Sequence, residues 1–407
     1  MSDRPTAVDL FCGAGGASLG IERAGYKLAA TVDQNTTALD THAENLGGYT
    51  VAHDLADVDL SVLPKRAQSP AYVHGSPPCK GFSTANDDRS ADDPRNSLVF
   101  NFLNWVAELR PDVVTMENVT GMTNITDHFM DRLEGAFRDA GYAVKWRILN
   151  AADYGVPQTR RRVITVGVRD DLEPPSRWFP RPTHAETPTT TLDGRELAEW
   201  VTVEEAIGDL AGRVTEHRPQ GSNNGTTGAV WRSGDEPAHT MKGLGSATIR
   251  SDGGLSELPP QHDDPNFDHW TATYDYSIAS QETEHDKPTP TIAAESASLP
   301  YHYLHKPTHE PRESTDGEPF DWESEEPGET LSTDARLPNK NRAPGAKSSM
   351  WDGARRLTVR ECARLQSFPD WFVFRGSKTS QYAQVGNAVP PRLQYHIANH
   401  LRAEVAE

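Results

Sequence analysis

The chain has 407 residues, 36% of them hydrophobic, and a formal net charge of −19. This composition argues against a membrane protein, because no apolar run approaches the ~20 residues that a spanning helix needs and the first residues lack a signal peptide's apolar stretch. It also argues against a disulfide framework or a zinc site, since the chain has only three cysteines, without zinc spacing. We therefore expect a cytoplasmic protein of two domains that holds no metal.

Residues 5–170 alternate short apolar runs with helix-like segments, which is typical of a parallel sheet covered by helices on both faces. The helix at 96–109 is the clearest, because its apolar side chains recur on one face. The pattern therefore predicts a doubly wound α/β fold. The other predicted elements are strands at 6–11, 27–32, 144–149 and 163–168, and helices at 17–24, 203–210, 357–368 and 390–405.

Glycines mark the turn from the first predicted strand into the first helix, within residues 9–20. Gly13 and Gly15 allow backbone amides to approach a ligand, and the start of a helix favours an anionic group. The spacing differs from the G-x-G-x-x-G fingerprint, so the loop fits a nicotinamide cofactor, S-adenosylmethionine or a tight turn without a ligand. Asp33, at the end of the second strand, is a candidate partner for ribose hydroxyls, and Asp54 for an adenine amino group.

Cys79 follows two prolines, Pro77 and Pro78, shortly after the apolar run 71–74. A stiff Pro-Pro step after a strand presents the thiol at the carboxyl edge of an α/β sheet, where such folds bind ligands. A lone cysteine is more often a small buried hydrophobe, but a neighbouring cation, here Lys80, favours the nucleophilic thiolate. The pattern therefore indicates a nucleophile.

Glu117 follows a second strand-like run, at 112–116, and an arginine cluster comes later. A carboxylic acid beside a nucleophile can protonate or hydrogen-bond N3 of a cytosine, although alone it would be a structural carboxylate. Arg160 and Arg162 share one face of an extended segment and can hold a pyrimidine oxygen and phosphates, whereas Arg161 points the other way. Thiol, carboxylate and arginines together suggest covalent catalysis on a heterocyclic base.

Residues 181–350 are rich in Pro, Gly, Thr, Asp and Glu, which predicts an irregular recognition domain. Its charge is uneven, since residues 310–329 carry a net charge of −8 and residues 335–364 carry +6. Solvated faces account for many such runs, but the basic segment also fits a positive groove in an acidic protein. Only 10 of the 40 basic residues are lysine, a composition that we read as adaptation to high salt.

Six segments of the chain resemble, in their order along the sequence, the motifs of the DNA (cytosine-5) methyltransferase family. The resemblance covers nearly the whole chain except the variable region at 181–350. The matching segments are 9–20, 75–83 (GSPPCKGFS), 117–119 (ENV), 158–162 (QTRRR), 356–369 (RLTVRECARLQSFP) and 384–391 (QVGNAVPP). The resemblance implies a Rossmann-like, mostly parallel seven-stranded sheet and methyl transfer to C5 of cytosine in double-stranded DNA.

Carried over position by position, the resemblance makes Cys79 the nucleophile, Glu117 the partner of N3, and Arg160 and Arg162 the base-positioning pair. The cofactor is then S-adenosylmethionine, with a pocket lined by Phe11, Gly13, Gly15, Asp33, Asp54 and Asn387. One departure concerns Gln34, which stands where the family often has an aromatic residue stacked on adenine. The predicted DNA contacts are Ser83 and Gln158, together with Arg342 and Lys347 of the basic segment 335–364, which we expect to contact phosphates.

The resemblance also implies a division of the chain and a set of partners. The expected parts are a catalytic domain at 1–180, a target-recognition domain at 181–350, a motif helix and hinge at 351–380, and a C-terminal segment at 381–407 that returns to the catalytic domain. A monomer with a cognate restriction endonuclease encoded nearby is expected. Two alternatives stay open, namely a transfer-RNA methyltransferase of the same fold and a catalytically silent DNA-binding protein.

Overall fold

The computed structural model describes most of the chain outside the variable region. The described residues are 4–78, 97–124, 128–207, 210, 247–249, 281–283, 289–290, 355–356 and 358–405. Among these residues, no helix is both long and apolar enough to cross a membrane.

A seven-stranded sheet forms the centre of the described structure, and its neighbouring strands follow the order β3-β2-β1-β4-β5-β8-β6. These strands are β1 (Thr6–Leu10), β2 (Lys27–Asp33), β3 (Thr50–Ala52), β4 (Tyr72–Gly75), β5 (Val113–Val119), β6 (Tyr142–Asn150) and β8 (Arg161–Arg169). All pairings are parallel except those of β8, which runs antiparallel to both of its neighbours. The predicted doubly wound, mostly parallel seven-stranded sheet is confirmed.

The reversal of β8 follows from a short connection. Residues 151–160 link β6 to β8, and they contain only a 3-10 turn (Ala151–Tyr154) and the two-residue strand β7 (Gln158–Thr159). Parallel neighbours need a crossover of roughly a dozen residues or more, usually a helix, so a connection of this kind brings β8 back antiparallel to β6. The start of β8 therefore lies at the same edge of the sheet as the ends of the parallel strands.

Helices cover both faces of the sheet. The helices of the described structure are α1 (Gly16–Arg23), α2 (Thr36–Asn45), α3 (Ser97–Leu109), α4 (Phe129–Asp139), α5 (Val203–Ile207), α6 (Val359–Leu365), α7 (Lys378–Asn387) and α8 (Pro391–Val405). One core joins the sheet to α3 and α4 and includes Phe102, Trp105 and Leu133. Another joins it to α1 and α8, through Ile21 and Leu393. The helices predicted at 17–24, 96–109 and 390–405 are therefore confirmed.

The helix predicted at 357–368 is shorter than expected. Thr358 and Glu361 form a capping box that starts α6, which ends at Leu365. Ser367 has a φ of 66°, a left-handed conformation that stops a helix. The apolar pattern extended the predicted helix to Phe368 because this residue is buried. Phe368 belongs, however, to the turn that follows α6.

Two glycines bring α1 and α8 into close contact. A Cβ added at Gly16 would overlap the carbonyl oxygen of Val389, and one added at Gly20 would overlap that of Pro391. Only glycine fits such an approach of two backbones. The segment after α7 is therefore held directly against the loop that follows β1.

Small sheets lie in the described part of the variable region and directly after it. Strands β9 (His184–Ala185), β10 (Thr189–Thr190) and β11 (Glu196–Glu199) form one, and β12 (Ala247–Ile249), β13 (Gln281–Thr283) and β15 (Arg355–Arg356) form another. Strand β14 (Thr289–Pro290) pairs with β7. The predicted helix at 203–210 is present as α5, with residues 208 and 209 outside the described part.

Candidate active site

The candidate site lies where the parallel strands end. The glycine loop follows β1, Asp33 ends β2, Asp54 comes two residues after β3, and Ser76 follows β4. Because parallel strands present their carboxyl ends at one edge, residues from different parts of the sequence meet there, and this edge is the usual ligand site of open α/β sheets.

The glycine loop is shaped by left-handed backbone conformations. Phe11, Gly13 and Gly15 have φ values of 57°, 52° and 98°. A Cβ at Gly15 would come within 2.8 Å of the buried His42 ring and 2.6 Å of Leu46, so the loop is pressed onto α2 there. A Cβ at Gly13 would have no atom of the described residues within 4 Å. The loop is therefore closed beneath Gly15 and open at Gly13, where a ligand can reach the backbone.

Asp33 links the ends of β1 and β2. Its Oδ2 accepts the backbone N–H of Gly13 at 2.8 Å, and its Oδ1 accepts that of Asn35 at 2.8 Å. Burial raises the pKa of this carboxyl, whereas the amides of Asn35, Gly13 and Gln34 act in the opposite direction. Each carboxylate oxygen keeps a second lone pair, so Asp33 can still accept hydrogen bonds from a ligand.

Asp9 is buried beneath the glycine loop. Its Oδ2 accepts the Ser18 hydroxyl of α1 at 2.5 Å, while its Oδ1 has no hydrogen-bond partner in the described structure. Burial, and to a lesser extent the negative charge of Asp33, raises the pKa of Asp9 to about 7. The base of the loop therefore holds a carboxyl that titrates near neutral pH.

The remaining predicted cofactor residues, Asp54 and Asn387, are both exposed. The N–H of His53 donates to the carbonyl oxygen of Asp33 at 3.1 Å, which brings Asp54 to the same edge as Asp33. Asn387 is the last residue of α7 and precedes the segment packed on Gly16. An open loop, a carboxylate with free lone pairs and these exposed polar groups fit the ribose and adenine of S-adenosylmethionine.

Glu117 and Arg162 form the charged part of the site. The register opposes Val119 of β5 to Arg162 of β8, so Glu117, two residues before Val119, lies on the same face. Arg162 Nε is 2.9 Å from Glu117 Oε1, and the two side chains are only 10% and 9% exposed. This ion pair is nearly dehydrated, and Oε1 makes no aligned hydrogen bond within the described structure.

Arg160 and Gln158 contact the last two motifs of the sequence, at 384–391 and 356–369. Arg160 Nη1 donates to the carbonyl oxygen of Gly386 at 3.2 Å. Gln158 Nε2 donates to Leu365 O at 3.2 Å and to Gln366 Oε1 at 2.5 Å. Gln158 is completely buried, so it presents no surface to DNA in this conformation. Its role as a DNA contact stays a prediction.

Several predicted site residues lie outside the described part of the chain. They are Cys79, Ser83, Arg342 and Lys347. The described structure reaches Pro78, and the carbonyl oxygen of Pro77 accepts the side-chain N–H of Asn118 at 3.2 Å. The residue next to Glu117 thus holds the backbone two positions before Cys79.

Comparisons with known proteins identify the family of the chain. The family model described as C-5 cytosine-specific DNA methylase matches residues 6–403. The chain belongs to this family. Its enzyme class is therefore DNA cytosine-5 methyltransferase, as the ordered motifs predicted.

Individual relatives match along almost the whole chain. Type II methyltransferase M.XorII of Xanthomonas oryzae pv. oryzae is 32% identical over 96% of this chain and 82% of its own length. Type II methyltransferase M1.HphI of Haemophilus parahaemolyticus is 31% identical over 97% and 85%. Among solved structures, the Entamoeba histolytica methyltransferase EhMeth aligns with a TM-score of 0.52 and 14% identity, covering 99% of both chains. That likeness shows the fold.

Sequence reasoning on this methyltransferase missed four buried polar residues behind the site. They are Tyr72, His74, Thr115 and Gln394. The signal was present in part, because His74 and Thr115 interrupt apolar strand runs that would otherwise be continuous. Their partners depend on strand register, which the sequence pattern does not provide.

Proposed function

We propose that this methyltransferase transfers a methyl group from S-adenosylmethionine to C5 of a cytosine within a short recognition sequence of double-stranded DNA, through a covalent bond from Cys79 to C6. The observation that carries the proposal is the dehydrated Glu117–Arg162 ion pair, with a contact of 2.9 Å. It lies next to Asn118, which holds Pro77 in the loop that leads to Cys79.

Glu117 is the proposed partner of N3 of the cytosine. Attack of the Cys79 thiolate on C6 places electron density on the ring, and a proton or hydrogen bond at N3 stabilises it. Arg162 holds the Glu117 carboxyl from one side, and we propose that Oε1 completes its hydrogen bonding with the base. The resulting enamine makes C5 nucleophilic. Once C5 has taken up the methyl group, loss of the C5 proton and departure of Cys79 restore the aromatic ring.

S-Adenosylmethionine, when bound, supplies the electrophilic methyl group. Asp33 would accept its ribose hydroxyls, Asp54 would accept a hydrogen bond from the adenine amino group, and the open backbone at Gly13 would approach the ligand. Phe11 and Asn387 would complete the pocket. The chain departs from the family at Gln34, which is exposed and leaves the adenine without the usual aromatic cover.

The DNA substrate has to present an unpaired base. A cytosine inside a duplex is unreachable, so we propose that it is flipped out, which costs on the order of a few kcal/mol of unstacking. Residues 181–350 would read the sequence, with Arg342 and Lys347 on phosphates. The relatives named as Type II methyltransferases support a restriction–modification role. We propose that a cognate endonuclease is encoded nearby and that the chain acts as a monomer.

The decisive test is base-resolution mapping of cytosine methylation on mixed-sequence DNA, with wild type and Cys79→Ala in parallel. We expect one short motif to be methylated at C5 by wild type, and no methylation by Cys79→Ala, which should retain DNA binding. Turnover by the variant at the wild-type rate would refute the nucleophile assignment. Methylation of transfer RNA instead of duplex DNA would favour the RNA-acting alternative.

A further inference from the structure

A row of buried polar side chains crosses the middle of the sheet. Asp9 of β1 lies opposite His74 of β4, and His74 lies opposite Thr115 of β5. All three are at most 1% exposed. Strands buried on both faces are normally continuous apolar runs, because a buried polar group is costly unless it is hydrogen-bonded. This buried polar row is therefore expected to make hydrogen bonds, and these bonds show which residues it connects.

Hydrogen bonds connect part of this row to the start of the nucleophile loop. Gln394 Nε2 of α8 donates to the Tyr72 hydroxyl at 3.0 Å, which lies 2.7 Å from Thr115 Oγ1. Thr115 Oγ1 lies 2.9 Å from His74 Nδ1, and His74 Nε2 lies 3.1 Å from Ser76 Oγ. The chain of bonds thus runs from the C-terminal helix, through two strands, to a residue three positions before Cys79.

One arrangement of the protons satisfies every bond in this chain. In it the amide of Gln394 donates to the Tyr72 hydroxyl, and that hydroxyl gives its own proton to Thr115. Thr115 then donates to Nδ1 of His74, which leaves the proton on Nε2 and directs it to Ser76. Burial lowers the pKa of His74 to about 3, so its imidazole is neutral, as this arrangement requires. The Ser76 hydroxyl proton remains to be donated beyond the chain.

A second bond holds the next residue. Asn118 Nδ2 donates to the carbonyl oxygen of Pro77 at 3.2 Å, and Asn118 is itself only 2% exposed. The side chain of Ser76 and the backbone of Pro77 are thus fixed from two different strands. Two prolines then limit the freedom of the backbone that continues to Cys79.

We propose that Ser76 is a positioning residue for the nucleophile loop, and that the hydrogen-bond chain Gln394–Tyr72–Thr115–His74–Ser76 fixes it in place. The inference rests on the proposed role of Cys79. It adds that a residue of the C-terminal helix acts on the nucleophile through buried side chains. A reacting group displaced by about 1 Å can cost on the order of 100-fold in rate, so such anchoring has a measurable effect on catalysis.

The test compares Ser76→Ala with Ser76→Thr, which keeps a hydroxyl at this partly exposed position. The control is Thr50→Val. Thr50, like Thr115 of the hydrogen-bond chain, is a buried threonine of the sheet, but its Oγ1 has no hydrogen-bond partner among the described residues. We expect Ser76→Ala to lower the single-turnover rate of methyl transfer on the order of tenfold or more. Its affinities for DNA and S-adenosylmethionine should stay at wild-type values, while its thermal midpoint should fall, because Nε2 of the buried His74 loses its partner. Ser76→Thr should recover most of the rate, and Thr50→Val should retain it.

A second variant tests the chain rather than the hydroxyl. Thr115→Val breaks the connection in its middle, and the double variant with Ser76→Ala should be no slower than the slower single variant. Additive losses would show that the two residues act separately and would overturn the proposed chain.

Adduct formation on a 5-fluorocytosine duplex separates this inference from the proposed function. If folded wild type forms no adduct, the nucleophile assignment fails. If wild type forms the adduct and Ser76→Ala forms it at the same rate, the positioning role is wrong and the proposed function stands. A slow adduct with Ser76→Ala, restored by Ser76→Thr, supports the inference.

Discussion

The two ends of the site are built in different ways. The proposed cofactor end, around Gly13 and Asp33, uses backbone amides and a carboxylate that come from adjacent parallel strands. The proposed base end uses charged side chains, Glu117 and Arg162, that meet across an antiparallel pair, and Arg160 reaches a carbonyl 226 residues away. Backbone recognition tolerates many side-chain changes, whereas the base end depends on each charged group. We therefore expect a substitution at Glu117 to lower the rate of methyl transfer and a substitution at Asp33 to lower the affinity for the cofactor.

The largest effect is expected at the base end. Glu117→Gln keeps the shape of the side chain but removes its acid, so the single-turnover rate should fall on the order of 10²–10⁴-fold. It also leaves the buried Arg162 without its ion-pair partner, which should lower the thermal midpoint. The affinity for S-adenosylmethionine, measured by calorimetry, should not change.

Glu173→Gln is the matched control, because Glu173 is an exposed carboxylate in a loop. It should leave rate and thermal midpoint at wild-type values. A Glu117→Gln enzyme with the wild-type single-turnover rate would show that N3 is stabilised by another group.

At the cofactor end, Asp33→Asn should weaken cofactor binding while sparing DNA. Hydrogen bonds to a charged group contribute roughly 1.5–3 kcal/mol, which corresponds to on the order of 10–100-fold in Kd. Calorimetry with S-adenosylmethionine and a DNA-binding assay would measure both affinities. Equal loss of both affinities would mean that Asp33 supports the fold of the whole edge, and would remove the distinction between the two ends.

The sequence predicted the residues at the strand ends better than it predicted their contacts. Local signals lie at the ends of strands that the structure contains, since the Pro-Pro step comes shortly after β4 and the Glu-Asn-Val motif forms the last three residues of β5. The pairing of Glu117 with Arg162 depends on the antiparallel register of β5 and β8, which no local pattern encodes. Gln158 looked like a surface residue for DNA, yet long-range packing against α6 buries it.

The glycines of the first motif also needed the structure to be understood. Their pattern suggested backbone amides open to a ligand, and Gly13 fits that interpretation. Gly16 and Gly20, in contrast, are required where α1 meets the carbonyl oxygens of Val389 and Pro391. One glycine-rich segment therefore serves both ligand access and helix packing, and only the positions of distant backbone atoms separate these roles.

The close packing of α1 on α8 predicts that alanine has opposite effects on stability at Gly16, which lies in this contact, and at Gly135, which lies outside it. Gly16→Ala forces a methyl group against the carbonyl oxygen of Val389, so the free energy of unfolding should fall by roughly 1–3 kcal/mol. Gly135→Ala is the control, because Gly135 lies within α4 with no atom within 4 Å of an added Cβ. Alanine should raise stability there by about 0.5–1 kcal/mol, through helix propensity. Urea unfolding would show both, and equal effects would contradict the close packing of α1 on α8.

The smallest expected effect concerns Asp9, which lies below the cofactor loop and opposite His74 in the polar row. Its pKa is raised from 3.8 to about 7 in the folded protein, so the native state binds a proton more tightly than the unfolded state does. The stability from this group is complete below pH 3.8 and is lost as the pH rises through 7. Between roughly pH 5.5 and 7.5, wild type should lose about 1–2 kcal/mol more unfolding free energy than Asp9→Asn.

Comparing the two proteins isolates Asp9, since the buried histidines His42 and His74 are present in both and their contributions cancel. Urea titrations at three pH values across the window would measure the difference, with Asp139→Asn, an exposed carboxylate at the end of α4, as the control. Parallel stability curves for wild type and Asp9→Asn would mean that Asp9 is ionised throughout this window. A steeper wild-type curve accompanied by a pH-dependent cofactor affinity would instead show that the carboxyl beneath the loop is coupled to the cofactor end.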